Sequence, residues 1–263
     1  MKSPTPELLV EHFGAVLRVT LNRPEAMNAL TIEMVEGFLL VLSEARESEA
    51  VRVLVITGAG KAFCAGADLK AFNDVQAVEP GTPDFLERTF KLFEELTTYP
   101  RPVIASLNGI TLAGGLELAM CADLLIACDS ARIGDAHANF GVFPGGGGAA
   151  VLPRIIPLHT AMYLLFTGKT LTAAEMKALG LVCELHPREQ LAEATLTLAQ
   201  HIAGRSPVAL ARMKEVARAS ADKSRADALL HEQVMLRAHL RSYDMAEGLG
   251  AFSEKRQPEF KGR

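Results

Sequence analysis

Short apolar runs alternate with helix-forming segments over the first two-thirds of the chain. Three runs rich in β-branched residues end at Asn, Gly or Pro and are predicted strands: residues 16–21, 51–57 and 103–107. Between them, apolar residues recur at helical spacing over residues 32–45, with Thr31 as the predicted N-cap, and from about residue 85 to 96. Because strands separated by helices usually pair in parallel, this pattern predicts an α/β core.

The pattern changes after about residue 200. Ser206-Pro207 opens a helical stretch that contains no strand candidate up to Phe252. Its apolar positions form two stripes: Ala209, Met213, Val216 and Ala217, then Leu229, Leu230, Val234, Leu236 and Leu240. Such a stripe either covers the core or packs on another subunit. We therefore predict a core over residues 1–200 and a separate helical C-terminal region over residues 201–263.

Composition and charge are those of an ordinary globular protein. Of the 263 residues, 49% are hydrophobic and 22% are charged, which excludes disorder. The net charge of -4 gives no basis for nucleic-acid binding, and no apolar run is long enough to span a membrane, so neither partner is predicted. The cysteines are scattered: Cys64, Cys121, Cys128 and Cys183. This spacing favours free thiols in a reducing cytoplasm, and no metal site is predicted.

The first of three glycine-rich segments is residues 62–69, AFCAGADL. Its small residues would let the backbone approach a ligand closely. A helix beginning after Asp68 would also point free N–H groups at an acceptor. The alternative is a tight strand-to-helix turn in which Asp68 is only the N-cap.

The second glycine-rich segment is residues 108–119, NGITLAGGLELA. Glu117 lies in the first turn of a helix predicted to start at residues 113–115. It could stabilise the helix dipole from a solvated face. Its neighbours are apolar on every side, however, so we predict a desolvated carboxylate with a raised pKa, which is a candidate for acid–base chemistry.

The third segment is residues 134–148, GDAHANFGVFPGGGG. It matches neither GxGxxG nor GxxxxGK[ST], and four successive glycines are typical of a permissive loop. His137 is either a structural or a catalytic histidine. In an extended segment Asp135 and His137 would leave the same face, so Asp135 could orient the imidazole or could face solvent. No serine lies in a GxSxG context, which argues against a serine-hydrolase triad.

Together these segments resemble the enoyl-CoA hydratase/isomerase (crotonase) superfamily. The matching stretches run in the family's order and cover nearly the whole chain: LNRPEAMNAL (21–30), VLVITGAGKAFCAGADL (53–69), RPVIASLNGITLAGGLELAMCADLLIA (101–127), ARIGDAHANFGVFPGGGG (131–148), FTGKTLTAAEMKALGLV (166–182) and EGLGAFSEKRQPEF (247–260). The resemblance implies an α/β, crotonase-like (ClpP/crotonase) spiral of β-β-α units. It also implies that the C-terminal helices assemble a homotrimer or a dimer of trimers.

The same resemblance implies an acyl-CoA thioester as substrate, and no cofactor beyond the coenzyme A that the substrate carries. The backbone N–H groups of Ala67 and Gly114 match the family's oxyanion hole, which binds the thioester carbonyl and stabilises the enolate. Other positions match contacts to coenzyme A: Arg23, Glu25, Ala26, Ala65, Gly66, Asp68 and Leu69, with Phe252 and Lys255 at the nucleotide end. Residues 72–86 are predicted to form part of the acyl-pocket wall.

Glu117 matches the first of the two catalytic glutamates of the hydratases, which holds and deprotonates the water that adds at the β-carbon. The second glutamate, which handles the α-proton, is replaced by His137. Imidazole is both donor and acceptor near neutral pH, so the leading hypothesis is an enoyl-CoA hydratase. One alternative is another reaction through the same enolate: isomerisation, hydrolysis or C–C cleavage. The other is a non-catalytic acyl-CoA- or RNA-binding homologue, against which the net charge and the retained Glu117 argue.

Overall fold

Two β-sheets form the centre of the structure, a computed structural model that describes residues 2–68 and 84–263. The strands of the first sheet are β1 (Leu8–Phe13), β2 (Val16–Leu21), β3 (Val53–Gly58), β5 (Val103–Leu107), β7 (Leu124–Cys128) and β10 (Glu184–His186), in that spatial order. The strands of the second sheet are β4 (Ala62–Cys64), β6 (Ile110–Leu112), β8 (Arg132–Gly134) and β9 (Leu171–Thr172), again in spatial order.

Most neighbouring strands are parallel, as the alternation of strands and helices predicts. Strands β2, β3, β5, β7 and β10 pair in parallel in the first sheet, and β4, β6 and β8 do so in the second. The antiparallel pairs, β1–β2 and β8–β9, lie at sheet edges. The strands predicted over residues 16–21 and 103–107 have the predicted bounds, and the strand predicted over residues 51–57 begins two residues later.

Ten α-helices lie within the described residues. They are α1 (Ile32–Glu47), α2 (Phe85–Thr97), α3 (Gly114–Met120), α4 (Leu152–Ile155), α5 (Leu158–Thr167), α6 (Ala173–Ala178), α7 (Leu191–Ala203), α8 (Pro207–Ser220), α9 (Arg225–His239) and α10 (Tyr243–Glu254). Two 3-10 turns lie at Pro24–Ala26 and His137–Phe140. Thr31 caps α1 as predicted, since its hydroxyl accepts a hydrogen bond from the Met34 N–H at 3.0 Å.

The chain passes between the two sheets in a regular way. After β3, β5 and β7 in the first sheet, it enters β4, β6 and β8 in the second. Helix α2 follows the first of these strand pairs and α3 follows the second. This repetition is the predicted spiral of β-β-α units. It places the turns after β4, β6 and β8, which hold the three glycine-rich segments, beside one another at the second sheet.

The C-terminal helices α8 and α9 pack on each other and leave much of their apolar surface uncovered. Lys214 and Arg218 of α8 anchor this pair to the core through the carboxylate of Asp123, at 2.7 and 2.8 Å. The second predicted stripe is exposed, with Leu230 at 61% and Leu236 at 53%. The sequence left two possibilities for these stripes, covering the core or packing on another subunit. The exposure shows that they do not cover the core of their own chain.

Cysteine packing agrees with the sequence. Cys64, Cys121 and Cys128 are buried free thiols, and Cys183 is free and exposed. Burial raises the pKa of both the Cys64 and the Cys121 thiol to about 12, so these two groups are inert packing residues. Within residues 2–68 and 84–263, no helix has the length and apolarity needed to cross a membrane.

Candidate active site

The first two glycine-rich segments meet where helix α3 begins. A Cβ atom on Gly115 would stand 2.1 Å from the carbonyl oxygen of Cys64, so only glycine lets α3 approach strand β4 this closely. Just before the helix, Ala113 has φ 49° and ψ -124°, a strained conformation for a residue with a side chain. The start of α3 is thus held against the turn that follows β4.

The backbone nitrogens of Ala67 and Gly114 lie close to each other across this contact. Leu30 bonds to the residues on either side of Ala67, since its N–H donates to Gly66 at 2.8 Å and its carbonyl accepts from Asp68 at 2.8 Å. In this bridge geometry the N–H of Ala67 points away from Leu30. A Cβ on Gly114 would stand 3.5 Å from the Ala67 nitrogen, and one on Gly66 would stand 3.5 Å from the Gly114 nitrogen.

Neither of these N–H groups has an acceptor among the described residues. Gly114 is the first residue of α3, where the N–H has no partner within the helix and carries the positive end of the helix dipole. Two free donors side by side suit a negatively charged oxygen. The structure thus brings together Ala67 and Gly114, the two residues predicted to form an oxyanion hole.

Glu117 lies one helical turn beyond Gly114, with 4% of its surface exposed. Its Oε1 accepts hydrogen bonds from the N–H groups of Gly146 and Gly148, at 2.7 and 2.9 Å. Burial raises the pKa of Glu117, even though the amides of Gly148 and Gly146 and the charge of His137 oppose the rise. The predicted desolvated carboxylate is confirmed, and no N–H group of residues 2–68 or 84–263 donates to its second oxygen, Oε2.

The glycine run at residues 145–148 is a close-packed part of this site. A Cβ on Gly146 would stand 2.3 Å from the Phe93 ring and 2.9 Å from Glu117 Oε2. One on Gly148 would stand 2.4 Å from Asp135 Oδ2. The run is a loop, as interpreted, and Gly147 has φ 121°, but it is also close-packed, because the missing side chains of Gly146 and Gly148 make room for the two carboxylates and the ring. Sequence reasoning missed the two N–H donors to Glu117, because a backbone N–H group has no side chain that indicates it.

His137 completes the group from the third glycine-rich segment. It opens the second 3-10 turn, with Asp135 and Ala136 between it and strand β8, and its side chain is 10% exposed. Its Nδ1 lies 3.0 Å from each carboxylate oxygen of Asp135, and its Nε2 lies 4.0 Å from Glu117 Oε2. Burial lowers the pKa of His137, but the hydrogen bond and charge of Asp135, together with the charge of Glu117, outweigh it and raise that pKa above its ordinary value.

The residues predicted to contact coenzyme A lie in two groups. Arg23 is held by Glu7, by the Ala29 carbonyl and by Asp68, at 3.1, 2.8 and 3.0 Å. The Ala65 N–H donates to the Met27 carbonyl at 3.0 Å. These bonds bring together Arg23, Ala26, Ala65, Gly66 and Asp68, with Glu25 exposed at the edge of the group. Arg23 therefore fixes the segment that carries Ala67 through its ion pair with Asp68. The sequence position of Arg23 did not indicate this structural role.

The second group, Phe252 and Lys255, lies at the C-terminal end of α10. Phe252 is 84% exposed near the end of α10, and Lys255 follows the helix with φ 56°. Within the described part of the chain, no hydrogen bond or ion pair joins their side chains to the residues around Ala67. Leu69 and residues 72–83 of the predicted acyl-pocket wall lie outside the described residues.

Sequence reasoning also missed a buried amide that shapes the turn beside the predicted oxyanion hole. Asn28 is fully buried in the left-handed region, at φ 56°. Its Nδ2 donates to the carbonyls of Ala59 and Ala62, at 2.9 and 2.8 Å, and its Oδ1 accepts from the Arg23 N–H. Asparagine tolerates this backbone conformation better than most residues, so an isolated Asn after a 3-10 turn was the available signal.

Comparison with known proteins identifies the family of the chain. A model of the enoyl-CoA hydratase/isomerase family matches residues 11–263. The chain belongs to this family. Enoyl-CoA hydratase domain-containing protein 2, mitochondrial, from Mus musculus is 37% identical over 268 residues, which covers 98% of this chain and 90% of the mouse protein.

Solved structures of enoyl-CoA hydratases share the fold over nearly the whole chain. The enzyme from Bacillus anthracis superposes with a TM-score of 0.90 at 34% identity, covering 98% of this chain and all of that one. The enzyme from Mycobacterium tuberculosis does so with a TM-score of 0.87 at 34% identity, with the same coverage. The predicted α/β crotonase fold is confirmed, and membership of the enoyl-CoA hydratase/isomerase family supports an enzyme.

Proposed function

We propose that this protein hydrates trans-2-enoyl-CoA thioesters to 3-hydroxyacyl-CoA. The observation that carries the proposal is the placement of Glu117 Oε2 and His137 Nε2, 4.0 Å apart, with Glu117 one helical turn beyond Gly114 and its neighbour Ala67. A water oxygen can lie at about 2.8 Å from both side-chain atoms. The site thus offers a water position between two acid–base groups, next to a place for an oxyanion.

The proposed reaction uses each of these groups once. The thioester carbonyl accepts hydrogen bonds from Ala67 and Gly114, which stabilise the enolate that forms as water adds to the β-carbon. Glu117 takes a proton from that water through Oε2, because its Oε1 is occupied by Gly146 and Gly148. His137 donates a proton to the α-carbon. The proton held by Glu117 then passes to His137, so that one water is added and the enzyme is restored.

The reaction needs no cofactor, since coenzyme A arrives as part of the substrate. For the thioester we propose contacts with the segment from Arg23 to Ala26 and with the stretch from Ala65 to Leu69, whose described part lies beside the oxyanion hole. At the nucleotide end of coenzyme A we propose contacts with Phe252, which is 84% exposed, and with Lys255. The cytoplasmic location remains a prediction, since the mouse relative is named as mitochondrial.

One observation favours a second candidate, hydrolysis of the acyl-CoA thioester. His137 is held by the carboxylate of Asp135 at 3.0 Å, an arrangement that can also activate water for attack on a carbonyl carbon. Glu117 argues for hydration, because a second base on the same water is not needed for hydrolysis. The non-catalytic and RNA-binding alternative finds no support in a net charge of -4.

A panel of enoyl-CoA thioesters, from short to long and aromatic acyl groups, tests the proposal. Hydration removes the absorbance of the conjugated thioester without releasing free thiol. Hydrolysis releases coenzyme A, which a thiol reagent detects, and isomerisation leaves the mass unchanged. Absence of hydration across the panel, with release of thiol or a change in double-bond position instead, would overturn the proposal.

Closing the oxyanion hole tests the role of Gly114. An added Cβ would make only ordinary contacts, at 3.5 Å or more, so Gly114→Ala should fold normally. The methyl group would nevertheless stand against the Ala67 nitrogen. We expect kcat to fall by about tenfold, less than the roughly 10²-fold or larger loss when a donor is removed. Gly250→Ala in α10, where the Cβ meets no atom within 4 Å, is the matched control. Unchanged kcat in Gly114→Ala would contradict the assignment.

We also propose that the chain forms a trimer or a dimer of trimers through the exposed stripes of α8 and α9. An apolar surface that its own chain leaves uncovered is a typical oligomer interface. Light scattering at micromolar concentration should give three or six times the chain mass of 28.2 kDa. Val234→Lys, at a position that is 53% exposed, should reduce that mass. A wild-type mass of one chain would rule out the assembly.

A further inference from the structure

Asp135 is a fully buried carboxylate that has no role in the reaction as proposed above. Both of its oxygens lie 3.0 Å from His137 Nδ1, and Oδ1 also accepts the His137 backbone N–H at 3.2 Å. Among the residues that the structure describes, no lysine or arginine bonds to it. A buried carboxylate is strongly destabilising unless a cation and hydrogen bonds compensate its charge. The imidazole of His137 is the group placed to supply both.

A second carboxylate stands close by. A Cβ on Gly148 would lie 2.4 Å from Asp135 Oδ2 and 3.3 Å from Glu117 Oε1, so this glycine separates the two acidic side chains. His137 lies between them, with Nδ1 toward Asp135 and Nε2 toward Glu117. The three side chains form a carboxylate–imidazole–carboxylate line, in which a protonated ring would compensate two negative charges.

We propose that Asp135 is a positioning residue, which fixes the His137 ring with its proton on Nδ1 and maintains it as an imidazolium whose Nε2–H faces the substrate. The inference rests on the proposed function of His137 as the proton donor to the α-carbon. An ionised carboxylate only accepts hydrogen bonds, so Nδ1 must be the donor in this pair. Nε2 is then the one ring nitrogen that can deliver and recover a proton.

Asp135 and Glu117, the charged side chains that face the ring among the described residues, both favour its protonated form. Asp135 faces it from the end of β8 and Glu117 faces it from α3, while the glycine run contributes only backbone N–H groups, which donate to Glu117. Both carboxylates raise the pKa of His137, against the effect of burial. Removal of the charge at Asp135 should therefore lower that pKa, and the ring would lose its proton within the working pH range.

The test combines nitrogen-15 NMR of the histidine rings with pH profiles of hydration. His137 signals are assigned as those absent from His137→Gln. In the wild-type protein we expect the neutral ring to carry its proton on Nδ1 and to titrate above a free histidine. In Asp135→Asn we expect the titration to move to lower pH and kcat near neutral pH to fall about tenfold. KM should change less than twofold, because Asp135 does not touch the substrate.

The loss in Asp135→Asn should shrink at acidic pH, where His137 is protonated without help, which a purely structural defect would not produce. Asp129→Asn, at an exposed position, is the matched control. A neutral wild-type ring protonated on Nε2, or an Asp135→Asn variant with unmoved titration and full kcat, would overturn the inference. The wild-type measurement decides the matter even if Asp135→Asn fails to fold. This titration also needs no substrate. If the wild-type protein showed the expected titration but no hydration, the proposed function would be wrong while the inference about Asp135 would stand.

Discussion

Glu117→Gln lowers kcat for enoyl-CoA hydration by about 10²- to 10⁴-fold, the usual weight of a positioned general base. The amide oxygen of glutamine can still accept the N–H groups of Gly146 and Gly148, which hold Oε1 of Glu117 at 2.7 and 2.9 Å. The side chain therefore keeps its place but cannot take a proton from water. Substrate binding should be retained, which calorimetry with a non-reactive acyl-CoA can measure.

Stability provides an independent control for this variant. Burial raises the pKa of Glu117, so the folded chain binds a proton at this group more tightly than the unfolded chain does. Its contribution to stability is then greatest below the unfolded pKa and is lost as pH rises through the folded one. Glutamine is neutral at every pH, so we expect the Tm near pH 8 to be equal to that of the wild type or higher.

Glu189→Gln, the same change at an exposed position, is the matched comparison and should leave kcat and Tm unchanged. If Glu117→Gln kept more than half of the wild-type turnover on the best substrate, Glu117 would not be the base. A low kcat together with a strongly reduced Tm would instead show that the carboxylate acts through the fold.

The longer strands and helices were predictable because each carries enough residues for its period to be visible. Residues 103–107 form an apolar run that only Ser106 interrupts, and the whole of β5 is buried. The second sheet was not predicted, because its strands β4, β6, β8 and β9 have only two or three residues each. No period can be read over such lengths, and these strands exist because the spiral brings them side by side.

The same contrast holds within the site. The burial of Glu117 was predictable, because its helix offers no polar face. The amides of Gly146 and Gly148 were not, since backbone donors have no side chain to indicate them. The sequence analysis left open whether Asp135 contacts His137 or faces solvent, because it assumed that this segment is extended. The chain instead turns at His137, and Asp135 Oδ1 accepts the N–H two residues later, as in an Asx turn.

His137→Ala is expected to reduce hydration by about 10²-fold or more, because it removes the proposed proton donor to the α-carbon. In the wild type, kcat should rise with pH as Glu117 loses its proton and fall again as His137 loses its own. Burial raises the pKa of Glu117, so the rising limb should lie at higher pH than for a free carboxylic acid. Burial lowers the pKa of His137, but the neighbouring carboxylates outweigh it and raise that pKa, so the falling limb should lie at higher pH than for a free imidazole. Because the two groups interact, the limbs report the pair.

In His137→Ala the falling limb should disappear while the rising limb remains. His137→Glu, which restores the glutamate of the hydratases, should keep measurable hydration only if Asp135 tolerates a second carboxylate beside it. We expect it to be less active than the wild type, since the cation between Asp135 and Glu117 is lost. His159→Ala, at an exposed position in α5, is the matched control. A His137→Ala variant that loses stability but keeps its turnover and both pH limbs would make His137 structural, and the chemistry would then depend on Glu117 as its one acid–base group.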